Sequence, residues 1–465
     1  MGLILVGCGS SAGGNSPATD NIGSPTQPGD SQTPTTPPID IADISCDVSY
    51  KLELSDAYST GEDTSPSESI AELIDQDKTH NSSWTAPLID NSLVIKLAAP
   101  ALVKEAVLTW GDNQVSHHFS VFASKDNENW QLLVNQEQSQ VNALIPDVTE
   151  LTSLTSATAK YIRFDLTGTS LSQPSELLEV EVFGCEQNVS HDIELVDWYL
   201  SVPTDEDSNG RSDSIKEQDL AAGYFDPRFF MLSKDGGITF STSVSGYKTS
   251  TNTNYVRSEL REMLRRGNTN FSTQGVNQNN WVFSSAPLSD QNNAGGIDGE
   301  MLAELAVNHV TTTGEGYQIG RVIIGQIHAN DDEPVRLYYR KLPDNVNGAI
   351  YIAHELLGGE DTYYELIGSR GNSASNPPDG IPLNERFSYR ISVDANVLTV
   401  AITKADGSEV SEQVDMSASG YDQGGQYMYF KAGTYNQNNS GDRHDYVQAT
   451  FYRIENSHDG YSPTN

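Results

Sequence analysis

Basic side chains are scarce in this chain of 465 residues. Only 27 Lys and Arg stand against 64 Asp and Glu, which gives a formal charge of −37. Nucleic acid and anionic membrane surfaces repel such a protein, so neither is expected as a partner. The scarcity is uneven, because seven basic residues precede residue 190 while Arg257, Arg261, Arg265 and Arg266 fall within ten residues. The sequence therefore allows a locally positive cleft on an acidic body.

Long apolar runs and helical periodicity are also scarce. No segment approaches the roughly 20 apolar residues of a transmembrane helix. Short runs with alternating apolar and polar residues, bounded by turn residues, favour β-strands. Up to about residue 187 the runs are short, as in a β-sandwich. Beyond it more than ten longer runs must stack into two curved antiparallel sheets, so we predict an all-β chain ending in a β-jelly-roll.

Signatures of several enzyme classes are missing as well. The sequence has no nucleotide-binding loop and no Ser/His/Asp signature. No paired His or Cys spacing suited to zinc occurs near the strands discussed below. A glycoside hydrolase would need two catalytic carboxylates, and Glu259 and Glu262 point to opposite faces of one strand. Zinc chemistry and glycoside hydrolysis are thus disfavoured.

Cysteine is rare, with three residues in the chain. Cys8 ends the run Leu-Val-Gly-Cys, which resembles a bacterial lipobox, although a basic segment before it is lacking. Residues 10–40 are rich in Ser, Gly, Pro and Thr, and we expect a disordered tether. These features predict an exported bacterial protein, either secreted or an outer-membrane lipoprotein acylated at Cys8. Cys46 and Cys185 would then form a disulfide, with two free buried thiols as the alternative.

Charged and polar side chains lie on one face of three strand-like segments, since alternate residues of a strand share a face. They are Arg257, Glu259 and Arg261 in RSELRE, Gln326 and His328 in GQIHAN, and Lys431, Tyr435 and Gln437 in YFKAGTYNQ. A row of this composition predicts the floor of a groove for a charged, hydroxyl-rich ligand. Taken alone, the Arg-x-Glu-x-Arg pattern is most often a cross-strand ladder of salt bridges.

The motifs RSELRE, QIH and YFKAGTYNQ, in this order, resemble the three signature regions of polysaccharide lyase family 7, the alginate lyases with a β-jelly-roll fold. The resemblance runs from about Glu194 to about Asn456. It implies β-elimination on alginate or a related polyuronate without a required cofactor. The implied catalytic set is Arg257, Gln326, His328 and Tyr435. The residues implied to support substrate or partner side chains are Glu259, Arg261, Lys431 and Gln437.

The chemistry explains why these residue types are needed. Removing the proton beside a uronate carboxylate makes an enolate-like dianion, so fixed donors such as Arg257 and Gln326 must first neutralise the carboxylate. His328 titrates near neutrality and Tyr435 can donate or accept a proton, so they form the proton-transfer pair. A lone histidine or tyrosine is more often structural, and the prediction rests on the three motifs together.

The first part of the chain resembles the discoidin-like fold of carbohydrate-binding module family 32. The segments that carry this resemblance are residues 73–84, 119–130, 160–164 and 179–184. It implies a structural calcium ion with Asp77 and Glu179 as ligands, although such an Asp/Thr/Asn loop is often a plain turn. The predicted organisation is a signal remnant and linker over 1–40, a discoidin-like module over 41–187 and a jelly-roll lyase domain over 188–465.

Three functional alternatives remain open at this point. The favoured one is an alginate lyase, monomeric and endo-acting, which uses guluronate-containing blocks. In similar enzymes an isoleucine in the middle of the QIH motif, here Ile327, accompanies that preference. The second is a surface glycan-binding protein whose jelly-roll has lost activity. The third is a lyase that acts on another polyuronate.

Overall fold

The computed structural model describes residues 41–61, 70–86, 88, 92–112, 114–139, 148–150 and 155–463. Cys8 and the predicted tether lie outside the described residues. Within these ranges no helix is both long and apolar enough to cross a membrane.

Short antiparallel strands build the first part of the chain. In β5, Phe119, Val121 and Ala123 are buried while the residues between them are more exposed, as the alternating sequence predicts. A 3-10 helix covers Ile70–Ile74. The strands described before residue 188 are β1 (Tyr50–Lys51), β2 (Leu54–Ser59), β3 (Trp84–Ala86), β4 (Ser92–Trp110), β5 (His117–Ser124), β6 (Gln131–Gln138), β7 (Val148–Glu150), β8 (Ala157–Thr169) and β9 (Ser175–Cys185).

A disulfide joins Cys46 to Cys185, at the two ends of this part, with the Cα atoms 6.3 Å apart. The predicted pairing is therefore confirmed. Large aromatic side chains fill the core, among them Trp84, Trp110 and Phe164, each at most 1% exposed. Their burial, together with the covalent link across 139 positions, holds the sandwich together.

Longer strands build the second part, with the short helices α1 (Glu217–Ala221) and α2 (Leu288–Gln291) between them. The strands are β10 (Trp198–Val202), β11 (Asp213–Ile215), β12 (Phe230–Leu232), β13 (Ile238–Ser243), β14 (Arg257–Glu262), β15 (Trp281–Val282), β16 (Gly296–His309), β17 (Arg321–His328), β18 (Val335–Arg340), β19 (Asn347–Glu355), β20 (Asp361–Ile367), β21 (Ile381–Pro382), β22 (Phe387–Asp394), β23 (Val397–Thr403), β24 (Glu409–Asp415), β25 (Tyr429–Asn436) and β26 (Tyr446–Asp459).

Two antiparallel layers result. One sheet, called here the groove sheet, has the order β11-β10-β14-β25-β17-β18-β19-β20. The other runs β12-β13-β26-β16-β22-β23-β24. Leu260 and Ile324 of the groove sheet share one buried cluster with Phe240, Leu305 and Ile391 of the other layer. Each sheet thus buries one face, and the all-β, jelly-roll prediction is confirmed.

The three motif strands are neighbours in the groove sheet. β14 pairs with β25, with Arg257 opposite Tyr435 and Arg261 opposite Lys431. β25 pairs in turn with β17, with Lys431 opposite Gln326. The β17 pairing shifts register between Ile323 and Gly325 on both of its edges. This β-bulge changes which face the later residues of β17 occupy.

The two parts of the chain touch through their backbones and side chains. Tyr50 of β1 pairs in parallel with Leu232 of β12. The Tyr446 hydroxyl donates to the Gln76 carbonyl at 3.0 Å, and Lys78 Nζ lies 5.0 Å from the centre of the Tyr446 ring. The sandwich loop around residue 76 therefore rests on the first residue of β26.

Candidate active site

Glu259 is the hub of the groove. Its buried carboxylate accepts hydrogen bonds from Arg257 Nη1 at 2.9 Å, from Gln326 Nε2 and from Lys431 Nζ. Burial raises the pKa of Glu259, but Lys431 and Arg257 outweigh it and hold that pKa below the ordinary value. Glu259 is therefore a fixed anion that joins three strands. Its oxygens bind neighbouring side chains of the groove; the other predicted role, support of the substrate, stays a prediction.

Arg257 and Tyr435 form a stacked pair across β14 and β25. The guanidinium carbon lies 3.6 Å from the ring centre, and Nε of Arg257 is buried without a hydrogen-bond partner among the described residues. Burial raises the pKa of Tyr435, although Arg257 opposes the effect. The phenol thus keeps its proton at neutral pH, as a general acid requires.

Two amide side chains in the groove have unsatisfied polar atoms. Oε1 of Gln326 and Nε2 of Gln437 are buried and lack a partner within the described part of the chain. A buried polar atom without a hydrogen bond costs about 1–3 kcal/mol, and such atoms mark places where a ligand or water is needed. Gln437 directly follows the end of β25. The Gln437 nitrogen can donate a hydrogen bond and the Gln326 oxygen can only accept one, and the substrate contacts of both residues stay predictions.

His328 lies at the end of β17 with its ring stacked on Tyr429, at 5.0 Å between centres and 11° between planes. Nδ1 lies 2.6 Å from the Ala329 carbonyl oxygen. Burial, helped by the positive charges of Lys431 and Arg257, lowers the pKa of His328 to about 4 against the opposing effect of Glu333. The imidazole is therefore neutral near pH 7 and can accept a proton.

Matches to known families accord with this geometry. Residues 193–458 match the family model described as alginate lyase, and residues 56–179 match the F5/8 type C domain model. The chain belongs to the alginate lyase family. This confirms the resemblance of the three motifs to the family 7 polysaccharide lyases and that of the first part to a discoidin-like module.

Two alginate lyase relatives illustrate the similarity. An alginate lyase of Klebsiella pneumoniae is 57% identical over 274 residues, which span 57% of this chain and 89% of that protein. The crystal structure of the alginate lyase from Klebsiella pneumoniae has 55% identity and a TM-score of 0.57. That match covers 58% of this chain and 97% of that chain.

The side chain of Arg261 in this alginate lyase family member is held by contacts within the protein. Its Nη2 donates to Thr273 O at 2.5 Å and to Asn280 Oδ1 at 3.0 Å, and its guanidinium carbon lies 3.8 Å from the Tyr429 ring centre. The residue thus supports a partner side chain, Tyr429, which in turn supports His328.

Tyr429 and Glu333 are groove residues that the sequence reasoning missed as site residues. Tyr429 is the first residue of the YFKAGTYNQ motif, and its place in that motif could have identified it. Oε1 of Glu333 lies 3.3 Å from His328 Nε2. It comes from the β17–β18 turn, where the sequence NDDEP gives no periodicity to assign a face.

The other acidic residue of the lyase motif faces away from the groove. Buried Glu262 accepts hydrogen bonds from His458 Nε2 at 2.8 Å, Asn456 Nδ2 at 2.6 Å and the Phe430 backbone at 3.0 Å. Glu259 and Glu262 thus lie on opposite faces, as predicted, and cannot act on one glycosidic bond.

Asp77, a predicted calcium ligand, lies in the loop after the 3-10 helix, and Glu179, the other, lies on β9 against that loop. Oε2 of Glu179 accepts from the Gln76 amide at 3.2 Å, and Oδ1 of Asp77 accepts from the Thr79 amide at 2.9 Å. Calcium takes six to eight oxygens, and the described ranges contain no group of three or more Asp, Glu, His or Cys side chains suited to a metal. Backbone carbonyls would have to supply most ligands, so the calcium stays a prediction.

Proposed function

We propose that this protein cleaves the 1,4-glycosidic bond of alginate by β-elimination, acting within the chain and accepting guluronate-containing blocks. The observation that carries the proposal is that the pKa values of His328 and Tyr435, on one face of the groove sheet, are shifted in opposite directions. The pKa of His328 is lowered to about 4 while that of Tyr435 is raised. Such divergence is typical of a base and an acid that work together.

The proposed reaction begins at the uronate carboxylate. Arg257 and Gln326 bind it and offset the negative charge that builds up as the C5–H bond breaks. Nε2 of His328 takes the C5 proton, and the electron pair forms the C4–C5 double bond. The C4–O bond breaks as Tyr435 gives its proton to the departing oxygen. The imidazolium and the tyrosinate then exchange a proton through solvent, which restores both groups.

Stereochemistry favours guluronate in this scheme. Mannuronate and guluronate are C5 epimers, so their C5 protons lie on opposite faces of the ring relative to the leaving oxygen. A guluronate can lose its proton to His328 while Tyr435 protonates the leaving oxygen from the other side. A mannuronate would require Tyr435 to perform both steps. Ile327, fully buried on the core side of β17, can influence this choice only through packing.

The test follows the ultraviolet absorbance of the new double bond with alginate, its separated block polymers and a second polyuronate such as pectate. We expect polyguluronate and mixed blocks to be cleaved at least as fast as polymannuronate. Solution viscosity should fall early relative to absorbance if cleavage is internal. A strong preference for polymannuronate would refute the guluronate proposal alone. Binding without any absorbance change would instead support a glycan-binding protein, and faster cleavage of pectate a different substrate.

Further proposals concern the remainder of the chain. We propose that the protein is exported, either as a lipoprotein acylated at Cys8 or as a secreted protein. We further propose that it is a monomer and that the sandwich binds a glycan. Labelling with a radioactive fatty acid in the native host, compared between wild type and Cys8→Ser, tests the anchor.

Calcium at Asp77 and Glu179 should raise the melting temperature of the sandwich, and a chelator should reverse that rise. An unchanged melting temperature would count against the metal.

A further inference from the structure

The hydrogen on the His328 ring can be assigned from its contacts. Nδ1 lies 2.6 Å from the Ala329 carbonyl oxygen, and a carbonyl can only accept a hydrogen bond. Nδ1 therefore carries the hydrogen of the neutral ring, and Nε2 keeps the lone pair. Stacking on Tyr429 fixes the plane of the ring. Any proton that His328 takes up must consequently go to Nε2.

Nε2 faces the carboxylate of Glu333 at 3.3 Å, and both side chains keep 20% of their surface exposed. The Glu333 backbone amide donates to Glu355 Oε2 at 3.4 Å. Arg336 Nη1 lies 3.8 Å from the other Glu333 oxygen, and Arg336 also pairs with Glu355 and Asp361. Groups from β18, β19 and β20 thus hold this carboxylate at the histidine.

We infer that Glu333 is a positioning residue for the base: it orients His328 and stabilises the imidazolium formed when Nε2 takes the substrate proton. The inference rests on the proposed function and extends it beyond the three motifs. Once Nε2 is protonated, the 3.3 Å contact becomes an ion pair, and an opposite charge at this distance favours the charged ring. A base paired in this way is a stronger base.

The other charges around His328 act in the opposite direction. Lys431 from β25 and Arg257 from β14 both disfavour the imidazolium, and burial disfavours it further. Tyr429, also on β25, presents its ring face. Two groups favour the charged ring, the nearby carboxylate of Glu333 and, to a smaller extent, the Ala329 carbonyl. Removing the charge of Glu333 should therefore lower the pKa of His328 still more and weaken it as a base.

The experiment compares Glu333→Gln, Glu333→Asp and Asp331→Asn by initial rates on alginate across acidic to neutral pH. Asp331 is exposed in the same turn, so its variant makes the same charge change away from the histidine. We expect Glu333→Gln to lower kcat by about tenfold, to leave KM nearly unchanged, and to move the acidic limb of the kcat profile to lower pH. Glu333→Asp should recover most of the rate, and Asp331→Asn should match the wild type.

Three results would overturn the inference: wild-type kcat in Glu333→Gln, a reduced kcat with an unmoved acidic limb, or equal shifts in Glu333→Gln and Asp331→Asn. NMR titration of the His328 ring nitrogens supplies a readout independent of turnover, with Glu333→Asp available if the Gln variant fails to fold. It should show the Nδ1–H form in the wild type and a lower pKa in Glu333→Gln. A wild-type protein inactive on every polyuronate would refute the proposed function, while the titration would still decide the role of Glu333.

Discussion

The guanidinium of Arg257 lies flat against the ring of Tyr435, 3.6 Å from its centre, on the neighbouring strand of the groove sheet. Arg257 is 9% exposed, and a desolvated cation on an aromatic face contributes about 2 kcal/mol. The group that would bind the substrate carboxylate thus also orients the proposed acid. Neither side chain can shift without the other.

The Tyr435→Phe variant removes the hydroxyl and keeps the ring. The stack on Arg257 should persist, so the melting temperature should stay near that of the wild type. Turnover on alginate should fall on the order of a hundredfold or more, because the proton donor is gone. Tyr452→Phe is the matched control, since it removes a hydroxyl that bonds Asp235 at an exposed site. Near-normal turnover in Tyr435→Phe would remove it from the catalytic set.

His328→Ala should likewise lose on the order of a hundredfold or more in turnover, because no other group replaces the proton acceptor. His80→Ala is a suitable control, since this exposed imidazole lies in the sandwich, 3.5 Å from Glu176. Initial rates and circular dichroism on both variants make the comparison. A folded His328→Ala variant with wild-type turnover would show that another residue is the base.

Glu259→Gln should destabilise the lyase part, because Arg257 and Lys431 would lose their common buried anion. Breaking a buried pair in this way costs about 3–5 kcal/mol in the free energy of unfolding. Urea unfolding measures it, with the half-exposed Glu300, 3.7 Å from Arg390, as a control that should change little on mutation to Gln. Equal stability of the two variants would contradict the role of Glu259 as a hub.

The same residue gives a pH dependence of stability with a defined sign. The pKa of Glu259 is lower in the folded protein than in the unfolded chain, where it is about 4.3. Its contribution is therefore complete above the unfolded value and is lost as pH falls through the folded value. The wild type should lose more stability on acidification than Glu259→Gln.

Lys431 should set an alkaline limit on activity. Burial and Arg257 lower the pKa of Lys431 to about 8, although Glu259 opposes them. Above that pH the ammonium loses its proton, so the groove becomes less positive toward a polyanion, and kcat/KM should decline. The Lys431→Met variant should be slower at every pH and should lack a limb near pH 8. Retention of that limb in Lys431→Met would assign it to another group.

A chain that starts near Ser190 should fold and cleave alginate, because the catalytic candidates lie beyond that residue. It should also melt at a lower temperature than the full chain, since it loses the β1–β12 pairing and exposes Met231, which packs on Val107 and Phe183. Calorimetry and initial rates test both statements. A soluble but inactive fragment would mean that the sandwich completes the site.

Regular alternation explains why the sequence predicted so much of β14. The strand pairs with β25 without interruption, so Arg257, Glu259 and Arg261 share the face assigned to them. The fold class and the Cys46–Cys185 pairing followed from strand-like runs and from cysteine position. Strand alternation is a local pattern, and the disulfide follows from the number and positions of the cysteines. Both can be read from a single sequence.

Long-range partners could not be predicted in the same way. The acceptors of Arg261 lie in the segment around Thr273 and Asn280, whose approach depends on the folded loop. Glu333 reaches His328 through a turn, where side-chain direction follows no period. Both contacts arise from tertiary packing, and neither leaves a pattern in the residues between.

The bulge in β17 shows how much the groove depends on one interrupted alternation. Ile323 packs beside Tyr338 and Tyr351 on the groove face, whereas Ile324 and Ile327 both belong to the main core. An uninterrupted strand would have kept Ile323, Gly325 and Ile327 on the groove face and sent Gln326 and His328 inward. Removing this mismatch while keeping the rest of the β17 sequence would therefore turn Gln326 and His328 away from Lys431 and Tyr429, their present neighbours on β25. One shift in register thus decides which half of β17 faces the groove with its polar side chains.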